Sequence, residues 1–390
     1  MNRGKRLVIV GGGPAGLATA RAYRESGGQA EVVLLAAESH PPYNRPPLTK
    51  EYLRGEVDRG DLPIQQPGWF RENGIDLRLA TRAQELDVDR RVVRTGSEKL
   101  AYDACVIATG SEPIRLPVPG GDDPDIRTMR TIADSEILQK LVVPGSRAVV
   151  IGSGFIGCEA AASLSMRGAR VTLVSMEEAP QQERLGEEAG GRIRSWLEGY
   201  GVDLRLGTGV EEIGRRKDGF TVGLEGEDEV EADVVLFGTG VSARIGLAED
   251  AGIETKDGGI VCDSSMRTSE PGVFAVGDIA FALNESAGRR LRVEHWGDAL
   301  EHGRIAGTVL AGDEAAWSMA PGFWSTIGDK TLKYWAWGDG WDDLSFEEDG
   351  DSFTVRYGKD GVLVGVLAHG ADEDYEKGRE EIERGVPLRG

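Results

Sequence analysis

The chain is poor in cysteine, in histidine and in positive charge, and each shortage excludes something. Its three cysteines, Cys105, Cys158 and Cys262, are too few and too far apart for a disulfide framework or a CxxC pair. They suit a reducing compartment. Four histidines, His40, His295, His302 and His369, do not cluster at metal-ligand spacing, so no metal site is expected. Lys and Arg number 45 against 66 Asp and Glu, a formal net charge of −21. That balance argues against a general nucleic-acid binder and against a protein held on anionic membranes, since both need a basic face. The longest apolar runs, such as residues 32–37, fall far below the ~18 residues of a membrane span. Residues 1–6 are basic and 7–10 apolar, but four apolar residues followed by three glycines read as strand and turn, not as a signal peptide. The expected location is cytoplasmic.

Glycine is what the chain has in plenty: 56 of 390 residues, about twice the usual ~7%. With 40% hydrophobic residues and no low-complexity stretch, these glycines belong to tight turns of a folded protein. At ~150 residues per domain the length suggests two or three domains.

The turns repeat. Residues 6–10 form a β-branched run that ends directly in Gly11-Gly12-Gly13-Pro14-Ala15-Gly16. A helical pattern follows over 17–26, stopped by Gly27-Gly28, and then an apolar strand over 32–35. The same plan returns as strand 148–151, the turn Gly152-Ser153-Gly154-Phe155-Ile156-Gly157, a helix to about 167 and strand 170–174. Each copy has about the ~30 residues of a parallel βαβ crossover. Further on, residues 74–81 are echoed by 201–208, and hairpins at 91–102 and 220–231 each lead to an apolar strand, ending in Ala108-Thr109-Gly110 or Gly238-Thr239-Gly240. Two copies of one design imply two similar nucleotide-binding domains. Residues 111–128, with four prolines and an acidic cluster, suit a crossover between them. From Trp317 the repeat is gone and five of the eight tryptophans crowd into 317–341, so a smaller third domain is expected there.

A single GxGxxG is weak evidence, but both copies follow a strand and open a helix, as the chemistry requires. The first glycine makes the turn, the second lets the backbone approach a pyrophosphate, and the third lets helix pack on strand. The helix N-terminus then offers free N–H groups and a positive dipole end. An acidic residue is expected ~20 residues further on to take ribose hydroxyls. Glu38 lies 22 after Gly16, and Glu177 lies 20 after Gly157. Two such sites suggest one bound flavin dinucleotide and one exchangeable nicotinamide dinucleotide.

The segment Tyr43-Asn44-Arg45-Pro46-Pro47-Leu48-Thr49-Lys50 resembles an element of the ferredoxin and rubredoxin reductase family, which includes the apoptosis-inducing-factor flavoproteins within the pyridine nucleotide-disulfide oxidoreductase superfamily. So do Ala108-Thr109-Gly110-Ser111, Arg130-Thr131, Gly154-Phe155-Ile156-Gly157-Cys158-Glu159 and Arg267-Thr268-Ser269. Phe274-Ala275-Val276-Gly277-Asp278 and Val293-Glu294-His295-Trp296 complete the set. The resemblance is close over about 6–312 and looser beyond, through Phe323-Trp324-Ser325 and 361–366, the latter read as a buried strand.

This resemblance implies an α/β fold: two Rossmann-like, glutathione-reductase-like dinucleotide-binding domains plus a small α+β C-terminal domain. The FAD domain would be discontinuous, 1–114 and 241–316, the NAD domain 115–240 and the C-terminal domain 317–390. By position, FAD would be held by Gly11, Gly13, Pro14, Ala15, Gly16, Glu38, Arg45, Lys50, Ala83, Thr109, Gly110, Arg130, Gly277, Asp278, His295 and Trp296. NADH would be held by Gly152, Gly154, Phe155, Ile156, Gly157, Glu177 and Gly240, with NADPH disfavoured. In the family, the positions of Lys50 and Glu159 form an ion pair beside flavin N5; they are the expected catalytic residues. His295 is expected to pack or position rather than transfer protons. The acid that usually ends the second NAD-domain strand is Ser175 here, with Glu177 two residues later, as in the apoptosis-inducing-factor branch.

The sequence also departs from its relatives. Residues 38–50 hold no cysteine, so no redox-active thiol is expected beside the flavin and electrons must leave to an external acceptor. That acceptor is expected to be a small iron–sulfur protein such as ferredoxin or rubredoxin. An apoptosis-inducing-factor-like, NADH-responsive redox sensor is the alternative, or an NADH oxidase or quinone reductase. Charge bears on the choice: 313–351 hold ten acids against two lysines, whereas 71–94 carry six arginines against five acids.

Overall fold

The computed structural model describes residues 5–388, so part of the basic 1–6 stretch lies outside the described residues. Each glycine motif joins a buried parallel strand to a helix. Strand Arg6–Val10 runs into helix Pro14–Glu25, which carries Pro14 in its first turn, and then into strand Glu31–Leu35. A proline there loses no hydrogen bond and arrives with helical φ. This helix therefore begins three residues before the apolar periodicity at Leu17 shows it. Strand Arg147–Ile151, helix Phe155–Met166 and strand Arg170–Ser175 form the second unit.

The first unit builds a five-stranded parallel sheet in the order Val273–Ala275, Ala104–Ile107, Arg6–Val10, Glu31–Leu35, Ile75–Arg78. The second builds its counterpart in the order Asp203–Leu206, Arg170–Ser175, Arg147–Ile151, Val234–Phe237, Arg127–Thr128. Helices and loops cover both faces, which is why these strands read as unbroken apolar runs rather than alternating ones. A three-stranded antiparallel sheet is attached to each, Ala83–Asp87 with Val92–Thr95 and Lys99–Ala101, and Val210–Arg216 with Gly219–Leu224 and Val230–Ala232.

The chain leaves the first sheet after Ala104–Ile107 and returns to it at Val273–Ala275, with the second sheet in between. The outgoing strand Ser111–Pro113 and the returning strand Val241–Ala243 pair antiparallel with each other. Helix Trp296–Ala311 then packs on Pro14–Glu25 at very close range. A Cβ on Gly303 would lie 2.3 Å from the Ala15 carbonyl oxygen and one on Gly307 2.4 Å from that of Thr19. Only glycine allows that approach.

The tryptophan-rich end is a five-stranded antiparallel sheet, ordered Gly322–Ile327, Lys330–Ala336, Val362–His369, Ser352–Lys359, Asp343–Asp349, with helix Asp372–Glu383 against it. Trp317 is not part of it. Trp317 is buried in the core of the first sheet's domain, packs edge-on to His302, and its backbone N–H donates to the Ser264 carbonyl. The C-terminal sheet docks on the second dinucleotide unit through a helix break. Gly186, at φ +88°, interrupts Gln182–Gly199. The carbonyls of Arg184 and Leu185 take the Trp341 indole N–H at 3.0 Å and the Tyr357 hydroxyl at 2.8 Å.

Candidate active site

One continuous cleft of about 1920 Å³ opens where the two parallel sheets face each other and the C-terminal sheet closes the third side. Single-ligand pockets span ~300–1000 Å³, so there is room here for more than one extended ligand. Both glycine motifs open on it. The helices starting at Pro14 and Phe155 are preceded by Gly13 and Gly154, and neither N-terminus is capped by a side chain. No atom lies within 4 Å of a Cβ built on Gly13. Two uncapped helix N-termini on one cleft make two anion sites.

Most residues proposed from the sequence line this cleft: Gly11, Gly13, Pro14, Ala15, Glu38, Arg45, Lys50, Ala83, Thr109, Gly110, Arg130, Gly277, Asp278, His295 and Trp296 on one arm, and Gly154, Phe155, Ile156, Glu159, Glu177 and Gly240 on the other. Gly16, Gly152 and Gly157 do not line it. They lie beneath the turns. A Cβ on Gly16 would be 2.0 Å from the Gly11 carbonyl oxygen, one on Gly157 2.1 Å from that of Gly152, and one on Gly152 2.5 Å from that of Gly238. Their work is to let each helix start directly under its turn.

On the first arm Glu38 is organised from both sides. The Tyr43 hydroxyl donates to it at 2.7 Å and Arg45 donates at 2.8 Å. Burial pushes the Glu38 carboxyl up, but Arg45 and the Tyr43 hydroxyl outweigh it and hold Glu38 below the ordinary carboxylate range. Arg45 also donates to the Arg130 carbonyl, while the Arg130 guanidinium donates to Asp278 at 2.8 Å. Asp278, in the turn Gly277–Ile279, takes a second bond from Ser111. An ionised acid placed for ribose hydroxyls and an Arg-held acid beside the glycine turn suit a dinucleotide.

At the centre, the Lys50 ammonium lies 3.2 Å from both oxygens of Glu159. The two side chains are only 6% and 7% exposed. Glu159 accepts three further bonds, from the Thr49 hydroxyl, from Ser325 at 2.7 Å and from the Thr326 backbone N–H at 3.1 Å. Three segments far apart in sequence meet on this carboxylate. Ser325 and Thr326 were not singled out as site residues; the Phe323-Trp324-Ser325 match marks the place without giving the contact.

On the second arm Glu177 orders the loop it sits on. It accepts from Ser153 at 2.8 Å, from the Gln181 N–H at 3.3 Å and from the Glu183 N–H at 2.9 Å. Gln181 escaped the sequence reading. It is buried, adopts φ +62°, and its amide donates to the Ser153 carbonyl at 2.9 Å. A non-glycine residue in that region costs ~1–3 kcal/mol and tends to mark a functional turn. His295, immediately before helix Trp296–Ala311, pairs through Nδ1 with Asp298 at 3.1 Å and packs 4.8 Å from the Phe323 ring.

All three cysteines are buried and unpaired. Burial pushes the Cys105 and Cys262 thiols up to about 12, and Cys158 higher still. None lines the cleft, and none offers the thiolate that thiol chemistry needs. Replacing each with Ala is therefore expected to lower stability through lost packing while leaving NADH-to-dye turnover largely intact. Loss of acceptor reduction in one variant, with flavin reduction by NADH preserved, would establish a thiol relay instead. No helix among the described residues is long and apolar enough to cross a membrane, and no His/Cys/Asp/Glu group among them could hold a metal.

Two repeated dinucleotide units, one shared cleft and a buried Lys–Glu pair at their junction define a two-nucleotide oxidoreductase architecture. The sequence profile of the pyridine nucleotide-disulphide oxidoreductase family matches residues 5–303, and the chain belongs to that family. It is 30% identical over 365 residues to the rubredoxin-NAD(+) reductase of Pseudomonas putida, covering 93% of this chain and 92% of that one. It is 32% identical to human apoptosis-inducing factor 3 over 98% of its length, but spans only 64% of that protein. Among solved structures it matches a chain of the covalent putidaredoxin reductase–putidaredoxin complex with TM-score 0.93 and 30% identity, over 100% of this chain and 95% of that one.

Proposed function

We propose that this protein is an FAD-dependent NADH reductase that passes electrons to a small iron–sulfur protein such as a ferredoxin or rubredoxin. One observation carries the reading: the buried Lys50–Glu159 pair lies in a cleft shared by two dinucleotide arms and free of cysteine. Relatives named for rubredoxin and putidaredoxin reduction, matched over nearly their full length, support it. Bound in the cleft, FAD would supply an acceptor that takes two electrons as hydride and releases them singly.

The protein's own residues do the rest. The Gly11–Ala15 and Gly154–Ile156 backbones bind the two pyrophosphates at helix N-termini. Glu38 and Glu177 take ribose hydroxyls, with Arg45 and Arg130 fixing Glu38 and Asp278. Phe155 and Phe323, with ring centroids 4.6 Å apart, exclude water where the arms meet. Lys50 holds a positive charge in the cleft, and Glu159 keeps it in place. Orientation of the two reactants supplies much of the rate. The proposed location is cytoplasmic, supported by the reduced, buried thiols.

Coenzyme choice follows from the Glu177 loop. A carboxylate has about four acceptor sites; Ser153 of the glycine turn and two N–H groups of the loop use three, which leaves one for a ribose hydroxyl. A 2′-phosphate would meet Glu177 and Glu183 with no Lys or Arg in 175–183, while the neighbouring Arg184 lies over the Phe155 ring. NADH is therefore expected to reduce the flavin at least tenfold more efficiently than NADPH, about 1.4 kcal/mol. Stopped-flow reduction with each coenzyme, followed by ferredoxin or rubredoxin addition with a cytochrome c readout, tests both claims. Equal reduction by NADPH sinks the coenzyme assignment. A long-lived reduced flavin that no iron–sulfur carrier reoxidises sinks the reductase reading in favour of a redox sensor.

A further inference from the structure

We propose that His295 takes up a proton from solvent when the cleft gains negative charge, and that Asp298 is the positioning residue that holds the imidazole ready for it. The proposal rests on the reductase reading above.

Asp298 lies in the first turn of helix Trp296–Ala311 and is 2% exposed. One of its oxygens, Oδ2, receives His295 Nδ1 at 3.1 Å and the Gly322 backbone N–H at 3.3 Å. The other, Oδ1, is buried with no partner. Among the described residues no Lys or Arg pairs with Asp298; its ion-pair partner is His295. A buried carboxylate without a cation is costly, and an imidazolium relieves that cost. An ionised carboxylate only accepts hydrogen bonds, so Nδ1 carries the N–H and Nε2 is where the ring gains or loses its proton. His295 lines the cleft.

Other titratable and charged groups surround the pair, Glu294 in the cleft among them. Glu294 lies beside His295; burial raises its carboxyl, opposed by Arg292 at 3.1 Å, with Asp278 and Arg184 also within electrostatic reach. On the inner side, His302 is fully buried and held down by that burial, so it stays neutral beside Asp298 and Glu301. The Tyr375 hydroxyl is pushed up to about 12 by burial and also stays neutral. The helix N-terminus disfavours a cation at His295, and Asp298 in its first turn counters that.

The proton count closes. Hydride transfer from NADH brings two electrons and one proton, releases NAD⁺ and leaves one extra negative charge in the cleft. One solvent proton on His295 Nε2 balances that charge. When two one-electron iron–sulfur acceptors remove the electrons, both protons return to solvent.

The test is the pH profile of the midpoint potential of the FAD-loaded protein, poised with chemical mediators between pH 6 and 9. Each proton taken up with two electrons changes the potential by about 30 mV per pH unit, a tenfold change in equilibrium constant. Wild type is expected to show an interval near 60 mV per pH unit, two protons. In that interval His295→Gln drops to about 30 mV. Asp298→Asn, isosteric but without the charge, is expected to change the profile in that same interval. The flavin absorbance of each variant confirms cofactor loading. A profile overlaying wild type in either variant overturns the proposal. Because mediators set the potential, the profile reports on His295 whether or not NADH reduces the protein; failed reduction by NADH overturns the reductase reading alone.

Discussion

Lys50→Ala is expected to slow flavin bleaching by NADH about 100-fold, the effect of removing one preorganised electrostatic donor from a water-excluded site, and to lower the flavin midpoint potential. The ammonium lies 3.2 Å from both Glu159 oxygens and is almost fully buried, so its charge is poorly screened. Reduction adds negative charge to the cleft, and a fixed cation favours that state. The variant also strands Glu159, whose remaining donors, Thr49, Ser325 and Thr326, are all neutral. Breaking one side of a buried pair typically costs ~3–5 kcal/mol. Glu159→Ala strands the ammonium instead and disturbs the same step, while the double variant loses less than the sum of the singles. Both singles are expected to keep FAD, because the contacts proposed at Gly11–Ala15 and Asp278 are untouched. Rapid mixing with NADH and a redox titration decide the matter. Wild-type values for both in Lys50→Ala would show that Lys50 is a bystander.

Gly157→Ala is expected to abolish reduction by NADH while leaving a flavin-loaded, folded protein. The added Cβ would stand 2.1 Å from the Gly152 carbonyl oxygen, a contact with backbone that no rotamer change relieves. The helix Phe155–Met166 must shift away from its turn, which displaces the N–H groups offered to the second pyrophosphate. Overpacking of this kind costs ~1–3 kcal/mol or more. Gly16→Ala is the mirror experiment, with 2.0 Å to the Gly11 carbonyl oxygen, and is expected to give protein without flavin. The visible flavin band per mole of protein separates the two outcomes, and chemical reduction shows that the Gly157→Ala flavin is still competent. Rapid NADH reduction in Gly157→Ala would refute the assignment of this arm to the nicotinamide coenzyme.

The doubled architecture was legible because its strands are buried on both faces. Residues 7–10 and 148–151 are apolar without interruption and lead straight into glycine. Helix starts were less legible, since Pro14 and Ala15 precede the periodic apolar residues. The C-terminal sheet was mostly hidden. Strands such as Lys330–Ala336 and Asp343–Asp349 are half-exposed and polar in part, and only the apolar 361–366 stood out. In the site, Glu38 and Glu177 followed from spacing alone. Lys50 and Glu159 each look ordinary by themselves, one a surface lysine and the other a helix-start acid, and only the family resemblance joined them. Ser325, Thr326, Gln181 and Asp298 were silent because their roles depend on partners brought together by folding, or on one unusual φ. The third glycines of both motifs were legible in their packing role, Gly16 and Gly157 each lying tight against the carbonyl of the first glycine of its turn.

The paired strands Ser111–Pro113 and Val241–Ala243 have one more implication. The inserted unit enters and exits through adjacent strands, like a cassette on a two-pronged plug, so its removal or exchange need not re-thread the first sheet. A chimera that exchanges the segment between these two strands for the corresponding unit of a relative would keep the first sheet continuous across the plug. The exchange would still have to preserve Arg130 and Glu159, through which the inserted unit reaches Asp278 and Lys50, so the plug eases threading while the cleft ties the two halves together.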